Sequence, residues 1–458
     1  MEFEIEINER IVSLLREHRY ADLKPIVAEM NEVDMALVFE ELTRDELPVL
    51  FRLLPKDLAA EVFVELDSDL QETLLSALND RELKAVISEL FLDDTVDLIE
   101  EMPANVVKRV LALSDKQTRR EINEILRYPK DSAGSIMTVE YVYLKLGMTV
   151  ADALEKIRRR AIDSETIYTC YVTDRSNKLL GFVTAKALLL ADPEDLISDI
   201  METNVIYSET TDNREDVARK LGDHGFLALP IVDKEERLVG IVTVDDAIDV
   251  IEEETTEDIE MMAAIISSDD TPYLKRSIWE MWKSRIPWLL LLLISSTFTG
   301  LIITSFEERL SALSVVLFAC VPMLMGSGGN CGSQSSVTVI RSLSLGELET
   351  RDVFRVMWKE LRVSILVGAT LAVACFAKLL VIDKLIFGVS GYEPMVCTVI
   401  SIALFATVVL SKLVGCSLPI LAKQCRLDPA VVASPFITTI IDALSLILYC
   451  YLAIAILS

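Results

Sequence analysis

Histidine is almost missing from this 458-residue chain: His18 and His224 are the only two, which excludes a His-rich zinc or iron site. The eight cysteines form no CxxC pair, and seven lie beyond residue 300, where they read as small apolar residues of buried helices. No GxSxG, P-loop or HExxH pattern occurs, so no enzymatic constellation is present. Met1 to Asn8 alternates Glu with apolar residues and has no basic n-region, so no secretory signal is expected there. Positive charge is scarce as well, but only in one part. Residues 1–270 carry 29 Lys+Arg against 61 Asp+Glu, a net −32, whereas 271–458 carry 15 against 11, a net +4. So acidic a front argues against nucleic acid and anionic lipid, which are polyanions, and favours cations as partners.

What is present is enough chain for three or four domains. Residues 1–130 read as helices, with apolar positions three and four apart and breaks at Pro or Asp/Ser. An internal period of 48 links Glu41-Leu42 to Glu89-Leu90, Asp45 to Asp93, Leu54-Pro55 to Met102-Pro103, Val62 to Val110 and Asp67 to Asp115. Stacked helical hairpins in a small superhelical array are expected, as a regulatory arm or as a scaffold with a solvated acidic surface.

From Lys130 the texture changes to strands alternating with helices. One unit runs from Ile136-Met137-Thr138 through a helix over 150–160 to Tyr171-Val172-Thr173 and Gly181-Phe182-Val183-Thr184. A second runs from Ile200-Met201-Glu202 through a helix near 214–221 to Pro230-Ile231-Val232 and Gly240-Ile241-Val242-Thr243. This order, met twice, resembles a tandem of CBS (cystathionine-β-synthase-type) repeats, with boundaries 131–199 and 200–248. The resemblance implies a Gly-h-h-Thr/Ser-x-x-Asp turn that holds ATP or another adenine nucleotide. Gly240, Thr243 and Asp246 retain it, whereas the first repeat has Ala187 in place of the aspartate.

Residues 249–285 are expected to form a connecting helix into the last domain. At its start Asp245, Asp249, Glu252 and Glu253 share one helical face, where like charges repel by a few tenths of a kcal/mol per pair. The run is either a solvated face or a surface neutralised by Mg2+ or Ca2+, hard cations suited to carboxylate oxygens.

Residues 286–458 contain five apolar runs of about the ~20 residues a spanning helix requires. They read as Ile286–Phe306, Leu310–Arg341, Leu361–Ile382, Met395–Leu421 and Pro429–Leu457. Lys275, Arg276, Lys283 and Arg285 flank the first; Arg341, Arg351, Arg355, Lys359 and Arg362 crowd the second connection, and Lys423 and Arg426 lie in the fourth. The positive-inside rule then puts the N-terminus in the cytosol and the C-terminus outside a plasma membrane.

Polar residues interrupt two of these spans. Asn330, Gln334, Thr338 and Arg341 recur four, four and three residues apart, a stripe that lipid does not tolerate. Gly328 and Gly329 precede it and allow close packing. In the fifth span Asp428-Pro429 reads as an N-cap with a first-turn proline, and Pro435 as an interior proline that frees the carbonyl of Val431. Ser434, Thr438, Asp442 and Ser445 follow, with Asp442 read as the only carboxylate well inside a span. Its insertion costs roughly 2.5–3.5 kcal/mol, so either an ion path or a structural aspartate explains it. One carboxylate with carbonyls and amides suits hydrated Mg2+, and a twofold-related second chain would supply another Asp442. No soft ligand accompanies Asp442, which weighs against copper and zinc.

The stretch Pro322-x-x-x-Gly326-x-Gly328-Gly329-Asn330-x-Gly332-x-Gln334 resembles the signature of MgtE-type magnesium channels/transporters. Ser434-Pro435-Phe436-x-Thr438-Thr439-x-x-Asp442 does too. The resemblance implies a homodimer with an all-α N domain (1–130), an α/β CBS pair, a connecting or plug helix and five transmembrane helices. It implies that Asp442 holds transported Mg2+, that Asn330, Gly328, Gly329, Gln334, Ser434 and Thr438 line its path, and that Mg2+ on Asp93, Asp97, Asp246, Asp249, Glu257 and Asp258 shuts it. Ser445 stands where relatives often carry Gly. The expected function is Mg2+-gated Mg2+ import. A broader Mn2+/Co2+ carrier and a membrane-tethered nucleotide sensor are the competing readings.

Overall fold

The 48-residue period appears in space as equivalent helix starts. Pro55 and Pro103 stand at nearly identical backbone angles (φ −55°, ψ 152° and φ −57°, ψ 146°) before α5 (Lys56–Val64) and α9 (Ala104–Leu113). A proline costs little there, because the first turn's N–H groups lack helical acceptors. Other starts use Asn: Asn31 accepts from Asp34 N at 2.7 Å, and Asn79 forms a capping box with Glu82. The chain is described by a computed structural model over residues 2–161, 164–266, 273–274, 276–430 and 434–457. Within it, residues 2–125 hold ten short helices, α1 (Glu2–Arg16) to α10 (Thr118–Ile125), around one apolar core that includes Leu23, Phe39, Leu50, Phe63 and Val110.

Two three-stranded sheets follow. β1 (Tyr141–Lys145) pairs parallel with β2 (Thr166–Thr173), which pairs antiparallel with β3 (Leu179–Thr184). β4 (Ser208–Glu209), β5 (Ala228–Val232) and β6 (Leu238–Thr243) repeat that order and sense. The helices are α11 (Val150–Arg160), α12 (Ala185–Leu190), α13 (Ile197–Ile200) and α14 (Arg214–His224). The repeats exchange their leading segments: Thr138 bridges Ile241, and Glu202 bridges Phe182. Glycine is required at both crossings. A Cβ on Gly240 would lie 2.8 Å from the Thr138 carbonyl oxygen, and one on Gly181 2.6 Å from that of Glu202.

The chain divides into two units, Met1–Glu253 and Glu254–Ser458, and α15 (Val244–Met262) runs through the division. The segment 249–285, expected as one connecting helix, contains the end of α15 and the first turns of α16 (Ile278–Leu313). The rest of the second unit is α17 (Val315–Ala319), α18 (Val321–Ser344), α19 (Val353–Lys378), a π-helical turn at Leu379–Ile386, α20 (Pro394–Gln424) and α21 (Ser434–Leu457). Among the described residues five helical spans are long and apolar enough to cross a membrane: Ile278–Leu313, Val315–Ser344, Thr350–Ile386, Pro394–Gln424 and Pro435–Leu457. α18 packs on α20 and α21, α19 on α20, and α16 on α21.

Several edges differ from expectation. Helix α16 continues to Leu313, so residues 310–313 belong to the first span, and Ser314 breaks the helix with extended backbone (φ −166°, ψ 133°). Helical structure begins at Thr350, ahead of the apolar run expected from Leu361, so Arg351, Arg355, Lys359 and Arg362 of the second connection are themselves helical. Pro435 sits in the first turn of α21 and is not interior. Its missing N–H therefore breaks no helical ladder, and the carbonyl of Val431 lies outside the described residues. Asp428 Oδ1 accepts from Ala430 N at 2.7 Å, and the residues that follow lie outside the described ones up to Ser434.

Candidate functional site

Helix α18 is two-faced. Asn330, Gln334, Thr338 and Arg341 are exposed along one side, while Gly328, Gly329, Gly332, Ser335, Ser336 and Val339 are buried on the other. The glycine face permits contact at backbone distance. A Cβ on Gly328 would stand 3.0 Å from Ser445 Oγ and 3.1 Å from Ser411 Oγ, and at Gly332 and Gly415 the α18 and α20 backbones meet. Gly329 faces α21: a Cβ there would lie 3.3 Å from Thr438 Cγ2 and 3.8 Å from Asp442 Oδ1. The half-buried Asp442 and Thr438 thus stand beside the α18 backbone, one residue from exposed Asn330. The Thr438 and Thr439 hydroxyls donate to the Pro435 carbonyl at 2.9 and 3.0 Å, which occupies that carbonyl and stiffens the first turn of α21. Ser434 begins this helix.

Gly328 and Ser445 face the buried α20–α21 side rather than the exposed stripe, and Ser445 is fully buried. The Ser445 hydroxyl therefore bears on packing at Gly328.

Span four holds a charge that hydropathy conceals. Lys412 is 5% exposed, and its Nζ lies 3.1 Å from Ser335 Oγ and 3.7 Å from Glu360 Oε2. Glu360 lies in α19, and its side chain is 16% exposed. Lys412 pairs with Glu360, not with Asp442.

In the first unit acidic groups gather around α8 (Leu92–Glu101). Its N-cap, Phe91, offers no side-chain oxygen, and Glu140 Oε2 accepts from Leu92 N at 3.0 Å instead. Glu165 N donates to the Glu140 carbonyl at 2.8 Å, which brings Glu165 to the same place. Asp93 is buried, and burial with nearby Asp246, Asp94 and Glu165 pushes its carboxyl well above the usual range. Burial and Asp246 raise Asp94 to about 6 and Asp97 to about 7, and burial raises Asp246 itself to about 6. Burial with Asp246 and Asp94 takes Glu165 to about 8. Asp97 is exposed, so water screens its share more than that of buried Asp93. Asp249 belongs to a neighbouring patch, and burial, Glu32 and Asp249 raise Glu65.

Asp246 also closes the second repeat's turn: Thr243 Oγ1 donates to its Oδ2 at 2.5 Å. In the first repeat the Thr184 hydroxyl caps Ala187 N at 3.1 Å, with no carboxylate to follow.

In the second unit Asp258 Oδ2 accepts from Ser344 Oγ at 3.1 Å, at the end of α18. Burial raises Asp258, and Asp428 and Glu254 add to the effect. Glu257 is half-buried beside it on α15. Met261 and Met262 pack against Ile340 and Ala430. Among the described residues no three His, Cys, Asp or Glu side chains gather in metal-ligand geometry. The crowded, raised carboxyls are nevertheless the donor chemistry a hard divalent cation would relieve. Asp94, Glu140, Glu165, Glu65, Asp428, Glu360 and Lys412 were not singled out as site residues from sequence. Only Lys412, a cation in an apolar run, carried a visible signal.

Three regions match known families. The model of the MgtE family, described as a divalent cation transporter, matches residues 321–452; the MgtE intracellular N domain matches 30–131, and CBS domains match 133–194 and 197–253. The magnesium transporter MgtE of Thermus thermophilus is 37% identical, with 93% of each chain covered. That of Bacillus subtilis is 32% identical, over 97% of this chain and 96% of its own. Among solved structures, the cytosolic domain of the Mg2+ channel MgtE in complex with ATP is 38% identical with a TM-score of 0.51, covering 53% of this chain and 99% of that one. The soluble part of a magnesium transporter is 29% identical with a TM-score of 0.52, covering 55% and 99%. With five spanning helices and these matches, the chain is a multi-pass membrane protein, and it belongs to the MgtE family.

Proposed function

We propose that this protein imports Mg2+ across the plasma membrane through a path lined by Asp442, Thr438, Ser434, Asn330, Gln334 and the Gly328-Gly329 backbone. One observation carries the reading: α18 exposes Asn330, Gln334 and Thr338 along one face while its glycine edge sets Gly329 against Asp442. A polar face bare on a single spanning chain needs protein or water beside it. A second copy related by a twofold axis supplies both, so the protein acts as a homodimer with two Asp442 carboxylates. Mg2+ gives up its water reluctantly, and one carboxylate with amides and carbonyls can hold it hydrated. The N-terminus is cytosolic and the C-terminus outside, following the basic residues.

The acidic groups act as its sensor. Mg2+ bound among Asp93, Asp97, Asp246 and Asp249 in the first unit, and separately at Glu257 and Asp258 in the second, relieves like-charge repulsion within each and favours the shut state. Release of Mg2+ lets the carboxylates separate. Thr243 and Asp246 could also take the ribose of ATP, in keeping with the ATP complex of the related cytosolic domain. Asp246 would then serve nucleotide and metal in turn.

The test is Mg2+ flux through the purified protein in liposomes as internal Mg2+ is varied. Asp442→Ala is expected to abolish uptake, and uptake at the unaltered rate would remove Asp442 from the path. The family's description as a divalent cation transporter supports a second reading, a broader Mn2+/Co2+ carrier. Competition by those ions, with and without an ion gradient, separates the two.

A further inference from the structure

We propose that Ser335, Glu360 and Lys412 form a buried positioning clamp. It holds α18 in the register that presents Asn330 and Gln334, and it keeps Glu360 from competing for the transported cation. The proposal rests on the reading of α18 and α21 as the path. Each residue comes from a different helix. Ser335 Oγ on α18 donates to Glu360 Oε2 on α19 at 2.7 Å and accepts from Lys412 Nζ on α20 at 3.1 Å. Ser335 is 2% exposed, Lys412 is 5%, and the Glu360 side chain is 16% exposed.

Lys412 lies roughly 16 Å along α20 from Lys423 by the 1.5 Å rise per residue, well inside the span. A cation so deep in a spanning helix is costly unless something cancels it, and Glu360 does so at 3.7 Å. The cancellation works in both directions. A bare Glu360 would be a largely buried carboxylate against α18, and Lys412 compensates its charge so that it does not compete with Asp442 for the ion.

Stability alone does not account for the arrangement, since a buried ion pair is often replaced by apolar residues without loss. Its directed bonds matter more. The buried hydroxyls around it, Ser336, Thr407, Ser411 and Ser445, make no hydrogen bond among the described residues. They hold α18 by shape, whereas Ser335 is fixed by two bonds with defined angles. Ser335 adjoins Gln334 and follows Asn330 by five residues, so a shift of α18 at the clamp moves the polar face with it.

The test uses full-length protein in liposomes and reads Mg2+ flux, the KM for Mg2+ and block by external Mn2+. Lys412→Met is expected to lower flux at least tenfold and to sharpen Mn2+ block, because Glu360 is left uncompensated. Adding Glu360→Gln should restore flux to within threefold of the unaltered protein and abolish the extra block, a recovery that loss of packing would not produce. Unchanged flux and block in Lys412→Met, or a double variant no better than the single, overturns the clamp. If Lys412→Met does not assemble, Ser335→Ala takes its place, since it keeps both charges. A KM at least threefold higher is then expected, and an unchanged KM overturns the proposal. Asp442→Ala runs in parallel. If it is inactive while the clamp variants behave normally, the clamp fails and the path stands; if it conducts normally, the path reading fails and takes the clamp with it.

Discussion

The two units treat carboxylates in opposite ways. Around α8 the first unit crowds Asp93, Asp94, Asp97, Glu165 and Asp246, and burial with their mutual repulsion pushes their carboxyls up. The second unit neutralises Glu360 with Lys412 and leaves Asp442 without that partner. An acidic surface without compensation is poorly stable by itself and responds to whatever cation arrives. A compensated one is indifferent to cations and serves to fix geometry. The first arrangement suits sensing and the second suits holding a path open to one ion.

The sharpest way to break this comparison is to discharge the sensing side. Replacing Asp246, Asp249, Glu257 and Asp258 together with their amides should raise flux at high internal Mg2+ at least tenfold, toward the rate seen at low Mg2+. Inhibition that persists unchanged in the same flux assay would refute a sensing role for these groups.

Acidity offers a milder route. The raised carboxyls bind more protons when folded than when unfolded, so their contribution to stability is fully present below about pH 4, their ordinary range. It is then lost as pH rises through the folded values of about 6 to about 8. Without divalent cations, thermal unfolding of the first unit should therefore move to lower temperature by several degrees between pH 5 and pH 8. Saturating Mg2+ should flatten that slope, and calorimetry at pH 7 should record protons released as Mg2+ binds. A Tm that rises with pH in the absence of Mg2+ would contradict the crowding.

Packing inside the first unit can be tested next. Gly240→Ala places a methyl 2.7 Å from Met137 Sδ and 2.8 Å from the Thr138 carbonyl, and backbone cannot yield as a side chain can. Destabilisation of about 1–3 kcal/mol is expected in denaturant titration. The smallest effect should come from Ala187→Asp, which gives the first repeat the carboxylate that Asp246 supplies to the second. A rise in bound ATP from one to two per chain is expected by equilibrium dialysis, with Mg2+ flux little altered.

Local patterning made much of the fold legible. The 48-residue period, the duplicated strand order and the exposed stripe at Asn330, Gln334 and Thr338 all follow from spacing along one element, and spacing is what a sequence records. Glu140 and Glu165 were not legible, because they meet through a backbone bond between segments 25 residues apart and reach α8 from outside its own repeat. Glu360 was hidden by a boundary: charged residues at Arg351, Arg355 and Lys359 masked the helix that already carries it. Lys412 was visible as a letter, but its meaning depends on Glu360 and Ser335, which only the packing of three helices brings to it.

The crossing of Thr138 over Ile241, and of Glu202 over Phe182, has a consequence for how the paired sheets can be taken apart. Each sheet is finished by a segment from the other repeat, so neither repeat is a self-sufficient piece of protein. A chain cut near residue 195 would leave two fragments that must find each other to fold, each inserting its leading segment into the other's last strand. Separated, each would present an unfilled groove along β3 or β6; mixed, they should reassemble as a noncovalent complex. The covalent link between the repeats thus serves to keep two interlocked halves at high local concentration.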